Sequence, residues 1–162
     1  MRNFTGTSSF MKYSDQDIAI LREIQRDASL SLSALSDKVG VAQSTLWRKV
    51  QEFETSGLIT GRVALLDPTL AGCKLCVLAS VSLNDHTDEA VTAFTNLVMR
   101  HHEILECHAV SGTADYIIKV RVEDVEAYER FMSHSLLRNP FVRSVVSSFS
   151  LREIKSSTAL PL

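Results

Sequence analysis

The chain has 162 residues, 45% hydrophobic and 22% charged, the composition of a soluble globular protein with one domain or two small ones. A formal net charge of -2 excludes a protein that holds nucleic acid by bulk charge alone, and no apolar run approaches the roughly 20 residues of a membrane span. The cysteines Cys73, Cys76 and Cys107 are odd in number and follow no secretory signal, which excludes a disulfide framework and points to a reducing cytoplasm.

Residues 1–13 read as a polar, disordered tail. Ser14 or Asp15 then caps a first helix, DQDIAILREIQRDA, with Ile18, Leu21, Ile24 and Ala28 as its apolar stripe. Ser31 caps a second helix over Leu32–Val39, and Gly40 supplies a tight turn. A third helix runs from about Gln43 to Ser56 and stops at Gly57. Leu46, Val50 and Phe53 recur at helical spacing on one face. Gln43, Trp47 and Gln51 lie opposite, with Ser44 and Arg48 beside them. A short helix, a Gly turn and a second helix with a polar leading end form the helix-turn-helix pattern, whose second helix can enter the major groove. Leu58–Leu66 is expected to be a strand pair turning at Thr60-Gly61, a wing that places Arg62 near the DNA backbone. The first 66 residues carry eight Lys/Arg against seven Asp/Glu, so phosphate contacts depend on the placement of Arg48, Lys49 and Arg62 and on dimerisation.

Asp67-Pro68 breaks the pattern, and residues 67–73 read as a hinge. Leu75, Val77, Ala79, Val81 and Leu83 then alternate at period two. Cys76, Leu78, Ser80 and Ser82 form a second face, suited to a partner subunit. Cys73 and Cys76 are expected as buried strand cysteines, because no second pair or nearby His completes a metal set. A helix over Asp88–Arg100 follows, with Ala90, Val91, Phe94, Leu97 and Val98 on one side. Next come a strand over Ile104–Ser111, a turn over Gly112–Asp115 and a strand over Tyr116–Val122. A helix starting at Asp124 has the stripe Val125, Tyr128, Phe131, Met132 and Leu136, and a last strand covers Val142–Ile154. The order β-α-β-β-α-β is the ferredoxin-like arrangement, an antiparallel sheet with both helices on one face. The expected class is therefore α+β, with a winged helix-turn-helix over residues 14–66 and a ferredoxin-like domain over residues 74–162.

Several fragments, in order, carry a resemblance to the Lrp/AsnC family of bacterial and archaeal transcription regulators. They are Asp17-x-x-Ile20-Leu21, Leu35-Ser36-x-x-Val39-Gly40, Arg48-x-Val50-x-x-x-Glu54-x-x-Gly57-x-Ile59 and Ala64-Leu65-Leu66-Asp67-Pro68. The back half adds Glu106-Cys107, Gly112-x-x-Asp115-Tyr116-x-Ile118-x-Val120, Ser147-Ser148-Phe149-Ser150-Leu151 and Thr158-Ala159-Leu160-Pro161-Leu162. The resemblance covers residues 15–162. It implies a homodimer assembled into tetramers, octamers or larger discs, a front domain on double-stranded DNA and a back domain that senses an amino acid, with no other cofactor. Carried over by position, base reading falls on Gln43, Ser44, Thr45, Trp47 and Arg48. The effector site falls on Gly112, Thr113, Ala114 and Asp115, with His108 on the strand just before them. A Gly112 turn exposes backbone groups to a carboxylate, and Asp115 can meet an ammonium or simply brace the turn. Where relatives commonly cap the recognition helix with Ser, this chain has Ala42. Either phosphate meets the open amides or Ser44 caps a helix that starts later.

Two other functions compete. A DNA-organising architectural protein would share the fold and differ only in specificity. A cysteine-dependent enzyme would need an exposed, partnered thiolate at Cys76 or Cys107. The chain shows no Ser/His/Asp order, phosphate loop or complete metal set, so no catalytic or metal-binding residue is assigned.

Overall fold

The computed structural model describes residues 13–162, so the expected tail lies, but for Tyr13, outside the described residues. The chain forms two compact units. One is Leu65–Ile154, and the other joins the residues up to Ala64 to Lys155–Leu162.

The helical unit holds α1 (Asp15–Arg26), α2 (Leu32–Val39) and α3 (Gln43–Thr55). Ser14 and Asp17 cap the start of α1 reciprocally, and Ser31 caps α2 through the Ala34 N–H. Gly40 ends α2 with φ 67°, a left-handed turn that a Cβ disfavours, and the chain enters α3 three residues later. Ile20, Leu21, Leu35, Val41, Leu46, Val50 and Phe53 form the core. The buried face of α1 is Asp17, Ile20 and Leu21, shifted from the expected stripe, and Ala28 lies exposed beyond the helix.

The wing expected over Leu58–Leu66 bends at Leu58-Ile59 and forms no strands. A turn at Thr60-Gly61 leaves arms too short for a stable hairpin. Gly61 also has no positive φ, which a tight hairpin turn demands. The expected hinge is itself ordered. Asp67 Oδ1 accepts the N–H groups of Thr69 and Leu70 at 2.7 and 3.1 Å, and Gly72 closes the turn at φ 82°.

The second unit is a four-stranded antiparallel sheet in the order β2-β3-β1-β4. Its strands are β1 (Leu75–Leu83), β2 (Ile104–Ala109), β3 (Tyr116–Val122) and β4 (Val142–Phe149). Helices α4 (Asp88–Arg100) and α5 (Val125–Phe131) complete it. Val77, Ala79, Val81, Ile118 and Val120 are fully buried, packed with Ala90 and Phe94 of α4 and Tyr128 and Phe131 of α5. After α5 the chain widens into a π-type turn over Met132–Leu136, closed by the Leu137 N–H on Met132 O at 3.0 Å, which puts Leu136 fully in the core. β2 and β4 end two and five residues short of the expected ends. Leu151 and Ile154, expected in the last strand, are 99% and 78% exposed.

Residues 155–162, expected in the sheet domain, belong to the helical unit. Arg22 Nε donates to Leu162 O at 2.8 Å, and the Leu160 N–H donates to Gln25 Oε1 at 2.6 Å. Leu162 packs on the helical core. The carbonyls and the apolar terminus find partners on α1 that the exposed end of β4 does not offer.

Candidate functional site

Helix α3 separates its residues sharply. Leu46, Val50 and Phe53 are 0%, 8% and 2% exposed, whereas Trp47 is 58% exposed. Gln43, Ser44 and Arg48 share the open side, and Thr45 is half-buried. The helix begins at Gln43 with Ala42 as its N-cap and no side-chain cap bond, so Ser44 does not start a later helix. The first amides of α3 are thus left without a side-chain acceptor, a setting that favours an anion. Beside Trp47 lies a hollow of about 380 Å³ lined by Ile24, Leu30, Leu35 and Val50 with Asp27, Glu54 and Arg62.

Two of the expected phosphate-binding cations are already engaged. Lys49 is turned inward, its Nζ 3.0 Å from Asp17 Oδ1 and its side chain 22% exposed. An ammonium held by a buried carboxylate has to leave that pair before it can meet a phosphate, so Lys49, expected at the DNA, is engaged within the helical unit. Arg62 Nη2 donates to Glu54 Oε1 at 2.8 Å across the end of α3, so the expected contact with the DNA backbone would require breaking this exposed pair. Such a pair is weak enough to be exchanged for a phosphate. Among the described residues Arg48 has only a long contact to Glu52 at 4.0 Å, and its side chain is exposed.

In the sheet unit, Gly112 lies in the β2–β3 turn with φ 142°, and Gly112 and Thr113 are exposed. Among the described residues, the N–H groups of Gly112, Thr113 and Ala114 make no hydrogen bond. Asp115 braces the turn through a neighbouring strand. Its Oδ2 accepts the Leu83 N–H at 2.7 Å and its own N–H donates to Val81 O at 3.0 Å, which ties the turn to the end of β1. Its Oδ1 faces His86 Nε2 at 3.6 Å. One carboxylate oxygen is therefore structural, and the other is the one an ammonium could approach. His108 lies on the sheet face away from the helices, opposite Ile117, with Nε2 at 3.6 Å from Glu106 Oε2. Lys119 beside Glu106 holds that carboxyl below the usual range, chiefly through their 2.8 Å hydrogen bond.

Cys73 is exposed and precedes β1, against the expectation of a buried strand position, because the chain is still leaving the Gly72 turn there. Cys76 and Cys107 are half-buried, and burial pushes the Cys107 thiol up, away from a reactive thiolate. Among the described residues no cluster of three or more His, Cys, Asp or Glu is arranged to hold a metal, and no helix is long and apolar enough to cross a membrane.

Asp17 and the C-terminal residues figure in the sequence only as fragments of the family resemblance; the pairing of Asp17 with Lys49 and of Gln25 and Arg22 with the C-terminus is not legible there. The signals for Asp17 are its place three residues after Ser14, the spacing of a capping box, and a charge within the apolar spacing of α1, three and four positions before Ile20 and Leu21.

Residues 14–60 match the family model for a winged helix-turn-helix DNA-binding domain, and residues 76–160 match that for an Lrp/AsnC ligand binding domain. The chain is 32% identical over 151 residues to the glutamate uptake regulatory protein of Zymomonas mobilis subsp. mobilis, covering 93% of this chain and 92% of that protein. It is 35% identical over 144 residues to the leucine-responsive regulatory protein of Escherichia coli (strain K12), covering 89% and 88%. Among solved structures, a transcriptional regulator from Neisseria meningitidis in complex with L-Met superposes with a TM-score of 0.89 at 31% identity, covering 92% of this chain and 96% of that one. An AsnC family transcriptional regulator from Agrobacterium tumefaciens gives 0.88 at 35% identity, covering 92% and 97%.

Proposed function

The chain belongs to the Lrp/AsnC family of transcriptional regulators, and from that premise we propose that α3 reads operator DNA while the Gly112–Asp115 turn takes part in sensing an amino acid. The observation that carries the DNA half is the division of α3. Three apolar residues anchor it, and Gln43, Ser44, Trp47 and Arg48 stand free at its leading end. Amide and guanidinium groups there match the donor and acceptor edges of bases in the major groove, and phosphate fits the uncapped amides. With Lys49 engaged and Arg62 paired, one copy offers few phosphate contacts, so stable binding rests on a dimer that engages two half-sites. Arg48→Ala is expected to weaken operator binding about tenfold to a hundredfold, by analogy with the loss of a bidentate base contact. Fluorescence anisotropy on a labelled operator measures this, and unchanged affinity would remove Arg48 from the interface.

For the effector, support comes from the open amides of the turn and from the amino acids that the names of similar proteins carry: glutamate, leucine and methionine. They indicate the class and leave the particular amino acid to experiment. An effector that binds the folded state at a hundred times its Kd adds about 2.7 kcal/mol of stability, a melting shift of several degrees. A thermal-shift screen against the proteinogenic amino acids is expected to give one or a few hits. A flat screen would favour an architectural DNA-binding protein instead. This reading requires no bond making, and the regulator acts in the cytoplasm, where its DNA is.

A further inference from the structure

Asp17 is 5% exposed, one of the two buried polar or charged residues among those described. Its two oxygens do different work. Oδ2 accepts the Ser14 N–H at 3.0 Å and the Ser14 hydroxyl at 2.8 Å, closing the cap of α1. Oδ1 is buried without a well-aligned hydrogen bond and is compensated by the Lys49 ammonium at 3.0 Å. Lys49 sits in the middle of α3, one residue after Arg48 and two after Trp47, so one carboxylate links the start of α1 to the helix that reads DNA.

The need for such a link follows from how α3 is otherwise held. Its N-terminus has no side-chain cap, and its anchors Leu46, Val50 and Phe53 lie along one stripe. A stripe of apolar contacts resists separation of the helices more strongly than it resists a small roll of α3 about its axis, because hydrophobic contact is non-directional. A short ion pair between half-desolvated groups is directional. Rolling α3 would leave a buried charge unpaired, which is costly, and fixing register is the best-supported use of such pairs. Burial alone would raise the Asp17 carboxyl, but the Ser14 hydroxyl, Lys49 and the Ser14 N–H hold it below the usual carboxylate range, so it stays charged. The facing charges are few: Glu52, on α3 itself, approaches Lys49 Nζ only at 3.9 Å.

We propose that Asp17 is a positioning residue for DNA recognition, which through Lys49 sets the rotation of α3 and thereby the bases that Gln43, Trp47 and Arg48 meet. This rests on α3 being the reading helix. The pair contributes to discrimination between sequences rather than to general affinity for DNA.

The test uses the full-length chain with a duplex that the protein selects from a random-sequence pool and an unselected duplex of equal length. The double variant Asp17→Asn/Lys49→Met removes both charges, keeps an oxygen for the Ser14 cap and leaves no buried charge behind. It is expected to keep its helical circular dichroism and its affinity for the unselected duplex. The ratio of selected to unselected affinity is expected to fall about tenfold, the scale on which residues without ligand contact modulate binding. Lys49→Arg, which keeps a cation for Asp17, is expected to recover much of the ratio. An unchanged ratio in the double variant overturns the proposal and leaves the pair a matter of stability alone. Equal weakening on both duplexes, with the salt slope shallower by about one, also overturns it and makes Lys49 a phosphate contact. Arg48→Ala run in parallel separates the premise from the proposal. Full affinity in that variant removes α3 from the groove, whereas lost affinity there with an unchanged ratio in the double variant fails the positioning role only.

Discussion

Replacing Leu78 and Val146 together by Glu is expected to leave the sheet unit folded and to abolish its self-association. Both residues point away from the helices, at 47% and 65% exposure. The register places Ser80 between Ile117 on one side and Val146 on the other, with Leu78 two residues along β1. Leu78, Ile117 and Val146 thus form one apolar patch centred on a small residue, flat enough to meet a second copy. Around it lie the paired charges Lys119–Glu106 and Arg121–Glu153, both at 2.8 Å, which make a polar rim. Two carboxylates buried at such a contact without partners would cost several kcal/mol per copy, enough to turn a tight dimer into a monomer at micromolar concentration. In the isolated chain the same positions face water, so folding loses little. Sedimentation velocity would show the change as a fall to the monomer mass, with operator affinity falling in parallel because two linked heads bind DNA more tightly than one. A variant that kept the parent's mass would place the assembly surface elsewhere.

Phe53→Ala is expected to unfold much of the helical unit while sparing the sheet. Phe53 is 2% exposed, meets Tyr13 edge-on at 6.2 Å between ring centroids and packs where α3 crosses the rest of the core. Truncating a buried Phe costs about 3–5 kcal/mol, and a domain of this size has about 5 kcal/mol to lose. Trp47 is the sole tryptophan and lies in this unit, so its emission follows the helical unit alone during urea unfolding. The expected result is a Trp47 transition moved to much lower urea, no measurable operator binding, and a circular dichroism transition of the sheet unit near its parent position. A Trp47 midpoint within error of the parent would mean that Phe53 contributes far less than its burial indicates.

The repeating patterns were legible from the chain itself. The inner faces of β1 and β3, the buried stripe of α3 and the β-α-β-β-α-β order follow from the spacing of apolar residues, because burial on one face imposes that spacing. The open side of α3, and so most of the DNA-reading candidates, came with the same pattern. Ser14, Ser31 and Gly40 marked helix ends because their preferred bonds are local. What stayed hidden was whatever depended on a partner distant in sequence. Lys49 stands three residues after Leu46 and four before Phe53, so helical spacing puts it beside the buried stripe, but only the packing of α1 on α3 brings Asp17 to it. Asp115 looked like a turn residue or a ligand, and its main acceptor role, for Leu83, exists only once β1 and β3 pair. Residues 155–162 carry no pattern that reveals their return to α1, since an extended segment takes its place from the surface that receives it. The expected strand pair of the wing did not form because its first arm, Leu58-Ile59, is too short to sustain pairing, and Arg62 is paired with Glu54. Periodicity in this protein therefore determined the elements and their faces, while the long-range pairing of charges and termini was decided by the tertiary structure, because the energy of an ion pair or an end contact depends on distances that the order of residues does not encode.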